Sequence, residues 1–187
     1  MKDDIKKAVA SLKSGGIILY PTDTIWGIGC DATNSKAVDK IYKIKGRQKT
    51  ASFLILLEDV KKITQYVKET PEIIYDLIES FDFPTTIIYP KAINLAKNMI
   101  APDGSIAIRI VREGFASDML KAFGKPVVST SANFSGEPSP LMFKDISDSL
   151  KEKMDYIVEA DRTNVRVTKP STIIRLKPNG EFEIIRD

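Results

Sequence analysis

Continuous apolar runs alternate with amphipathic stretches along the whole chain. Ile5, Val9 and Leu12 recur at helical spacing, and Gly15-Gly16 marks the stop. Ile17 to Tyr20 is an unbroken apolar run of strand length, closed by Pro21. Asn34 or Ser35 offers an N-cap for a helix with Val38, Ile41 and Tyr42 on one face. Phe53 to Leu57 predicts a second buried strand. Two more helices are expected. One starts near Asp59, with Val60, Ile63 and Tyr66 inward; the other starts at Thr70-Pro71, a capping hydroxyl before a proline at the first helical position. Strands are expected over 85–89, 106–110 and 126–128, with a helix over 114–123 between the last two. A polar stretch covers 129–140. A helix over about 145–154 and strands near 156–158, 171–176 and 183–185 complete the pattern.

This alternation predicts an α/β protein (α+β in some schemes), with helices packed on a twisted sheet. The 187 residues show no internal repeat, low-complexity tract or linker, so a single domain over 1–187 is expected. The longest apolar runs are too short to span a bilayer, and the N-terminus lacks the apolar core of a secretory signal. A soluble, cytoplasmic protein with no membrane partner is the expectation. One cysteine, Cys30, excludes an internal disulfide and suits a reducing compartment.

The chain contains no histidine. That excludes Ser-His-Asp and Cys-His catalysis within one chain, and every zinc site that needs imidazole. Catalysis would have to rest on positioning and charge stabilisation, as phosphoryl and nucleotidyl transfer do. A formal net charge of +3 is too small for a dedicated nucleic-acid binder but allows a local basic pocket.

Four segments could carry such chemistry. Tyr20-Pro21-Thr22-Asp23-Thr24-Ile25-Trp26-Gly27-Ile28-Gly29-Cys30-Asp31 leaves a strand with hydroxyls and carboxylates beside the only tryptophan; it reads either as a ligand loop or as ordinary turn chemistry. Lys43 to Lys49 gathers four cations around Gly46, as a phosphate clamp or as a helix C-terminus would. Ser129-Thr130-Ser131-Ala132-Asn133-Phe134-Ser135-Gly136-Glu137-Pro138-Ser139-Pro140 follows an apolar strand abruptly; its five hydroxyls, amide and backbone N–H groups suit phosphate oxygens, with a solvated surface loop as the alternative. Arg109 sits inside the apolar run Ile106 to Ile110, so it lies at an exposed edge or is paired with an anion. Neither a Walker loop nor a Gly-x-Gly-x-x-Gly turn after a strand is present.

Taken in order, these segments, together with Pro84-Thr85-Thr86 and Ser171-Thr172, resemble the threonylcarbamoyl-AMP synthase (YrdC-like) family over nearly the whole chain. The resemblance implies a twisted mixed sheet flanked by helices around a large concave basic cavity. It implies a nucleotidyltransferase that makes threonylcarbamoyl-AMP and pyrophosphate from L-threonine, bicarbonate and ATP, with magnesium accompanying the ATP. Lys45 and Arg47 would act at the triphosphate. Ser131, Asn133, Arg186 and the backbone of Ser105 would also contact ATP. Thr24, Arg109 and Ser171 would hold threonine, Arg109 by its carboxylate. No metal site made by the protein itself is implied. The downstream acceptor would be tRNA, reached through proteins of a threonylcarbamoyl-transfer complex, with direct RNA contact left open. The family's usual Pro after Lys-x-Arg is replaced by Gln48-Lys49-Thr50, and its Trp-Pro-Gly-Pro run by Phe81-Asp82-Phe83-Pro84. A non-catalytic RNA-binding module and a paralogue with another nucleotide-dependent reaction are the competing readings.

Overall fold

The computed structural model describes residues 1–46, 53–163, 171–177 and 179–186. Within these, the chain runs α1 (Lys2–Lys13), β1 (Ile18–Pro21), β2 (Trp26–Gly29), α2 (Ser35–Lys45), β3 (Leu54–Leu57), α3 (Ile73–Ser80), β4 (Thr85–Tyr89) and β5 (Ile106–Ile110). It continues through α4 (Gly114–Phe123), β6 (Val127–Ser131), α5 (Asp148–Lys151), β7 (Tyr156–Ile157), β8 (Thr172–Leu176) and β9 (Phe182–Arg186). The described strands form one mixed sheet in the order β7-β1-β2-β6-β3-β5-β4-β8-β9. β1/β7, β3/β5 and β4/β8 are parallel, and the other neighbours are antiparallel. With helices packed against this sheet, the α/β class expected from the alternating pattern holds.

The central strands are apolar on both faces because both are covered. Ile55, Leu56 and Leu57 of β3 are all fully buried. Helices α1 and α4 pack on one another and on the sheet. α2 begins at Asn34, whose side chain accepts the backbone N–H groups of Lys36 and Ala37, and ends at Gly46 in the left-handed region with φ 61°.

Four elements differ from the sequence expectation. The helix near Asp59 is a 3-10 turn, Val60–Gln65; it is cut short where Val67 bridges to Ala92. α3 starts after Pro71-Glu72, which form its entry turn. The helix placed over 145–154 shrinks to α5, because Ile146 and Ser147 are extended and Ile146 drops into the core. The polar stretch starts later than expected, since β6 continues through Ser131 to pair with β2.

β2 itself has no apolar run to announce it. Its Gly27 and Gly29 lie where neighbouring chains come close. A Cβ on Gly29 would sit 2.5 Å from the Val128 carbonyl oxygen and 2.7 Å from the Tyr20 ring.

Candidate functional site

The β1–β2 hairpin satisfies its own turn. Thr22 Oγ1 donates to the Ile25 carbonyl at 2.7 Å and accepts the Thr24 N–H at 3.1 Å. The turn reading holds, and the bonds that close the turn also fix both threonine hydroxyls, which lie 3.1 Å apart. Thr22 and Thr24 are both buried.

Arg109 is not at an edge. It lies in β5 between Leu56 of β3 and Thr86 of β4, and only 4% of its surface is exposed. Its Nη2 is 3.1 Å from Asp23 Oδ1, an ion pair that lacks the alignment of a hydrogen bond. Nη1 donates to Thr24 Oγ1 at 3.4 Å, at the long limit of such bonds. Nε has no hydrogen-bond partner among the described residues. A buried guanidinium is thus held in place with part of its donor fork unused.

Lys45, in the last turn of α2, is 3% exposed. Its Nζ donates to Ser131 O at 2.7 Å, Asn133 O at 2.6 Å and Asn133 Oδ1 at 2.9 Å. The Ser135 N–H in turn donates to the Lys45 carbonyl at 2.9 Å. Asn133 Oδ1 also accepts the Ser131 hydroxyl, and its amide donates to the Glu137 carbonyl. The hydroxyl-rich loop is therefore a rigid, self-bonded unit clamped to the end of α2. The cation cluster splits accordingly: Gly46 ends the helix, Lys45 clamps the loop, and Arg47 lies outside the described residues.

These parts meet around a cavity of about 290 Å³. Thr22, Thr24, Trp26, Arg109, Ser129, Thr130, Ser131, Ser139, Ser171 and Arg186 line it, with Ile25, Gly27, Phe53, Leu54 and Leu141. Ser171 pairs with Thr86 hydroxyl to hydroxyl at 2.9 Å, and Arg186 Nη2 donates to the Ser171 carbonyl at 2.7 Å. Of the described residues, the lining holds two arginines and no carboxylate. Such a hollow favours an anion.

The cavity brings together Thr24, Arg109, Ser131, Ser171 and Arg186. Lys45 and Asn133 stand behind Ser131 rather than in the lining. Ser105 is apart from it: its N–H donates to Asp103 Oδ1 and its carbonyl accepts the Ala101 N–H. Sequence reasoning placed Ser139 in the hydroxyl-rich segment and read Phe53 only as the start of a buried strand, and it did not single out Leu141, which lies just past that segment. Cys30 is not a nucleophile candidate; burial pushes its thiol pKa up, and a nearby carboxylate, Asp31, adds to the effect.

The Sua5/YciO/YrdC family model, described as "Telomere recombination", matches residues 10–187. The chain belongs to this family. Among curated relatives in the Sua5/YciO/YrdC family, the threonylcarbamoyl-AMP synthase of Mus musculus is 31% identical over 187 residues, covering 97% of this chain and 66% of the mouse protein. That of Pseudoalteromonas translucida (strain TAC 125) is 31% identical over 172 residues, covering 90% of this chain and 91% of the relative. The chain thus spans about two thirds of the mammalian relative and most of the bacterial one. The crystal structure of P. abyssi Sua5 complexed with L-threonine matches with a TM-score of 0.84 and 26% identity, over 92% of this chain and 50% of that one. E. coli YciO shares the fold, with a TM-score of 0.85 at 22% identity, over 100% of this chain and 90% of that one.

Proposed function

We propose that this chain is an L-threonylcarbamoyladenylate synthase, a nucleotidyltransferase that joins a threonine-derived carbamate to the AMP part of ATP. The observation that carries the reading is the cavity: hydroxyls and two arginines, with no carboxylate in its described lining, in a member of a family whose relatives bear that name.

Arg109 anchors the threonine carboxylate with the donors its present partners leave unused, and Thr24 and Ser171 flank it. Ser131 and Arg186 face the nucleotide, with Asn133 and Lys45 supporting Ser131 from behind, Lys45 adding its charge and Arg47 following it in sequence. The threonine amine and bicarbonate give a carbamate and water. A carbamate oxygen then attacks the α-phosphorus, the bond to the bridging oxygen breaks, and pyrophosphate leaves. The chain's residues hold these groups in line and stabilise charge with donors that are already ordered. Among the described residues no group of three or more His, Cys, Asp or Glu side chains gathers to hold a metal. Magnesium fits best as part of the ATP substrate, carried by phosphate oxygens. The adenylate would pass to proteins of a threonylcarbamoyl-transfer complex that modify tRNA in the cytoplasm. Among the described residues no helix is long and apolar enough to cross a membrane.

The test is an incubation with ATP, magnesium, bicarbonate and L-threonine. Threonine-dependent pyrophosphate release, with the adenylate seen by mass spectrometry, is the expected result. Release that needs a different acid would transfer the reading to another substrate. No release together with tight RNA binding would replace it with a non-catalytic role.

A further inference from the structure

We infer that Asp23 is a built-in place-holder for the substrate carboxylate: it neutralises Arg109 while the cavity is vacant of acid and turns aside when the acid takes Arg109. The inference rests on the proposed reading of Arg109 as the anchor for threonine.

A guanidinium with 4% exposure cannot be left without an anion at low cost. Asp23 supplies one at 3.1 Å, but loosely. The contact lacks hydrogen-bond alignment, Nη1 reaches Thr24 at 3.4 Å, and Nε has no partner among the described residues. An incoming carboxylate that takes two parallel N–H donors would bind this fork better than Asp23 does.

Asp23 is in the turn between β1 and β2, in contact with Arg109 but outside the lining of the first cavity. Thr22 and Thr24 line the first cavity, whereas Asp23 lines a second one of about 490 Å³. Strand alternation makes the same division in the sheet: Arg109 faces the first cavity, and Ile108 and Ile110 face the second. Asp23 therefore does not occupy the substrate's space, and it has room to turn into. That second lining carries Arg112, whose Nη2 donates to the Ile78 carbonyl at 2.6 Å, and also Asp82 and Glu113, so Asp23 would turn toward solvent in it rather than into a ready ion pair. Exchange needs a carboxylate on the ligand, so the device selects acids over amines and alcohols, and part of the acid's binding energy is used to release Asp23.

Asp23→Asn and Asp23→Ser test this. Both are expected to lower the KM for L-threonine by roughly fivefold while leaving the KM for ATP unchanged. Both should melt lower than the parent without ligand and regain more on adding L-threonine than the parent gains. An unchanged threonine KM would overturn the inference, and so would a raised one, which would make Asp23 a ligand of the substrate ammonium. If neither variant folds, the parent chain still decides. The Arg109 Nε–H resonance in a 15N spectrum should move with L-threonine and stay with L-threoninol; equal responses would overturn the exchange. A parent that releases no pyrophosphate with threonine would instead overturn the proposed function beneath it.

Discussion

Among the described residues, the Lys45 ammonium donates to three oxygens of the Ser131–Asn133 loop. Its role is therefore structural as well as electrostatic. Lys45→Met should destabilise the fold by about 3 kcal/mol or more, because it strands the loop oxygens as well as removing bonds to a charge. Urea denaturation measures this; an unchanged midpoint would show that the clamp does not form in solution. Arg109→Gln is expected to raise the threonine KM at least roughly tenfold with a smaller change for ATP. Equal changes in both constants would show that Arg109 does not discriminate between the two substrates. Asp4 shows the same economy far from the cavity. Burial alone would push its carboxyl pKa up, but the Tyr156 hydroxyl and the backbone N–H groups of Ala160 and Glu159 outweigh that and hold it below its ordinary value. A depressed folded value means this contribution is complete above pH 3.8 and is lost as pH falls through the folded value. Asp4→Asn should cost about 1–3 kcal/mol at neutral pH and flatten the loss of stability on acidification, as followed by thermal melts across pH. Of these residues, Arg109 was legible from sequence because a cation inside an apolar strand is conspicuous. Which anion balances it was not, since Asp23 lies 86 positions earlier, a separation that follows from the numbering itself.

At the level of elements, the strongly periodic segments folded as their patterns predict. α1, α2, α4 and strands β3, β4 and β5 keep their expected places because burial on a helix face or in a sheet centre matches local preference. The misjudged elements are those shaped by neighbours. β2 is a strand because β1 and β6 bracket it, and its glycines are there for closeness rather than for flexibility. Gly29→Ala should cost at least about 1–3 kcal/mol, since the added methyl meets backbone and a buried ring that have little room to move. A melting temperature within a degree of the parent would show that β1, β2 and β6 are less tightly packed than described. The helix expected over 145–154 illustrates the opposite case. Ile146 and Leu150 are both buried, as helical spacing predicts, but they reach the core from an extended segment and a single turn.

Across the whole molecule, the cavity exists only because segments distant in sequence converge. Thr24 comes from the first hairpin, Arg109 from mid-chain, Ser131 from β6, Ser171 from the residue just before β8, and Arg186 from β9. β8 and β9 also shield β4, whose other neighbour is β5. A chain ending before Ser171 should lose threonine-dependent turnover and, with β4 left as an open edge, self-associate. Sedimentation velocity would detect this; a monodisperse, active truncation would show that the last strands neither complete the site nor guard the edge.

From its residues alone, this protein's α/β class, the absence of imidazole chemistry and the ordered motifs of its family could be read, because composition and short-range periodicity are properties of the chain itself. Tertiary structure alone decided that Lys45 is buried beneath a loop, that Arg109 faces Asp23 with donors unused, and that a second hollow lies behind that pair. Those facts depend on contacts between residues tens of positions apart, where distance is set by sheet order and register and no local pattern records it.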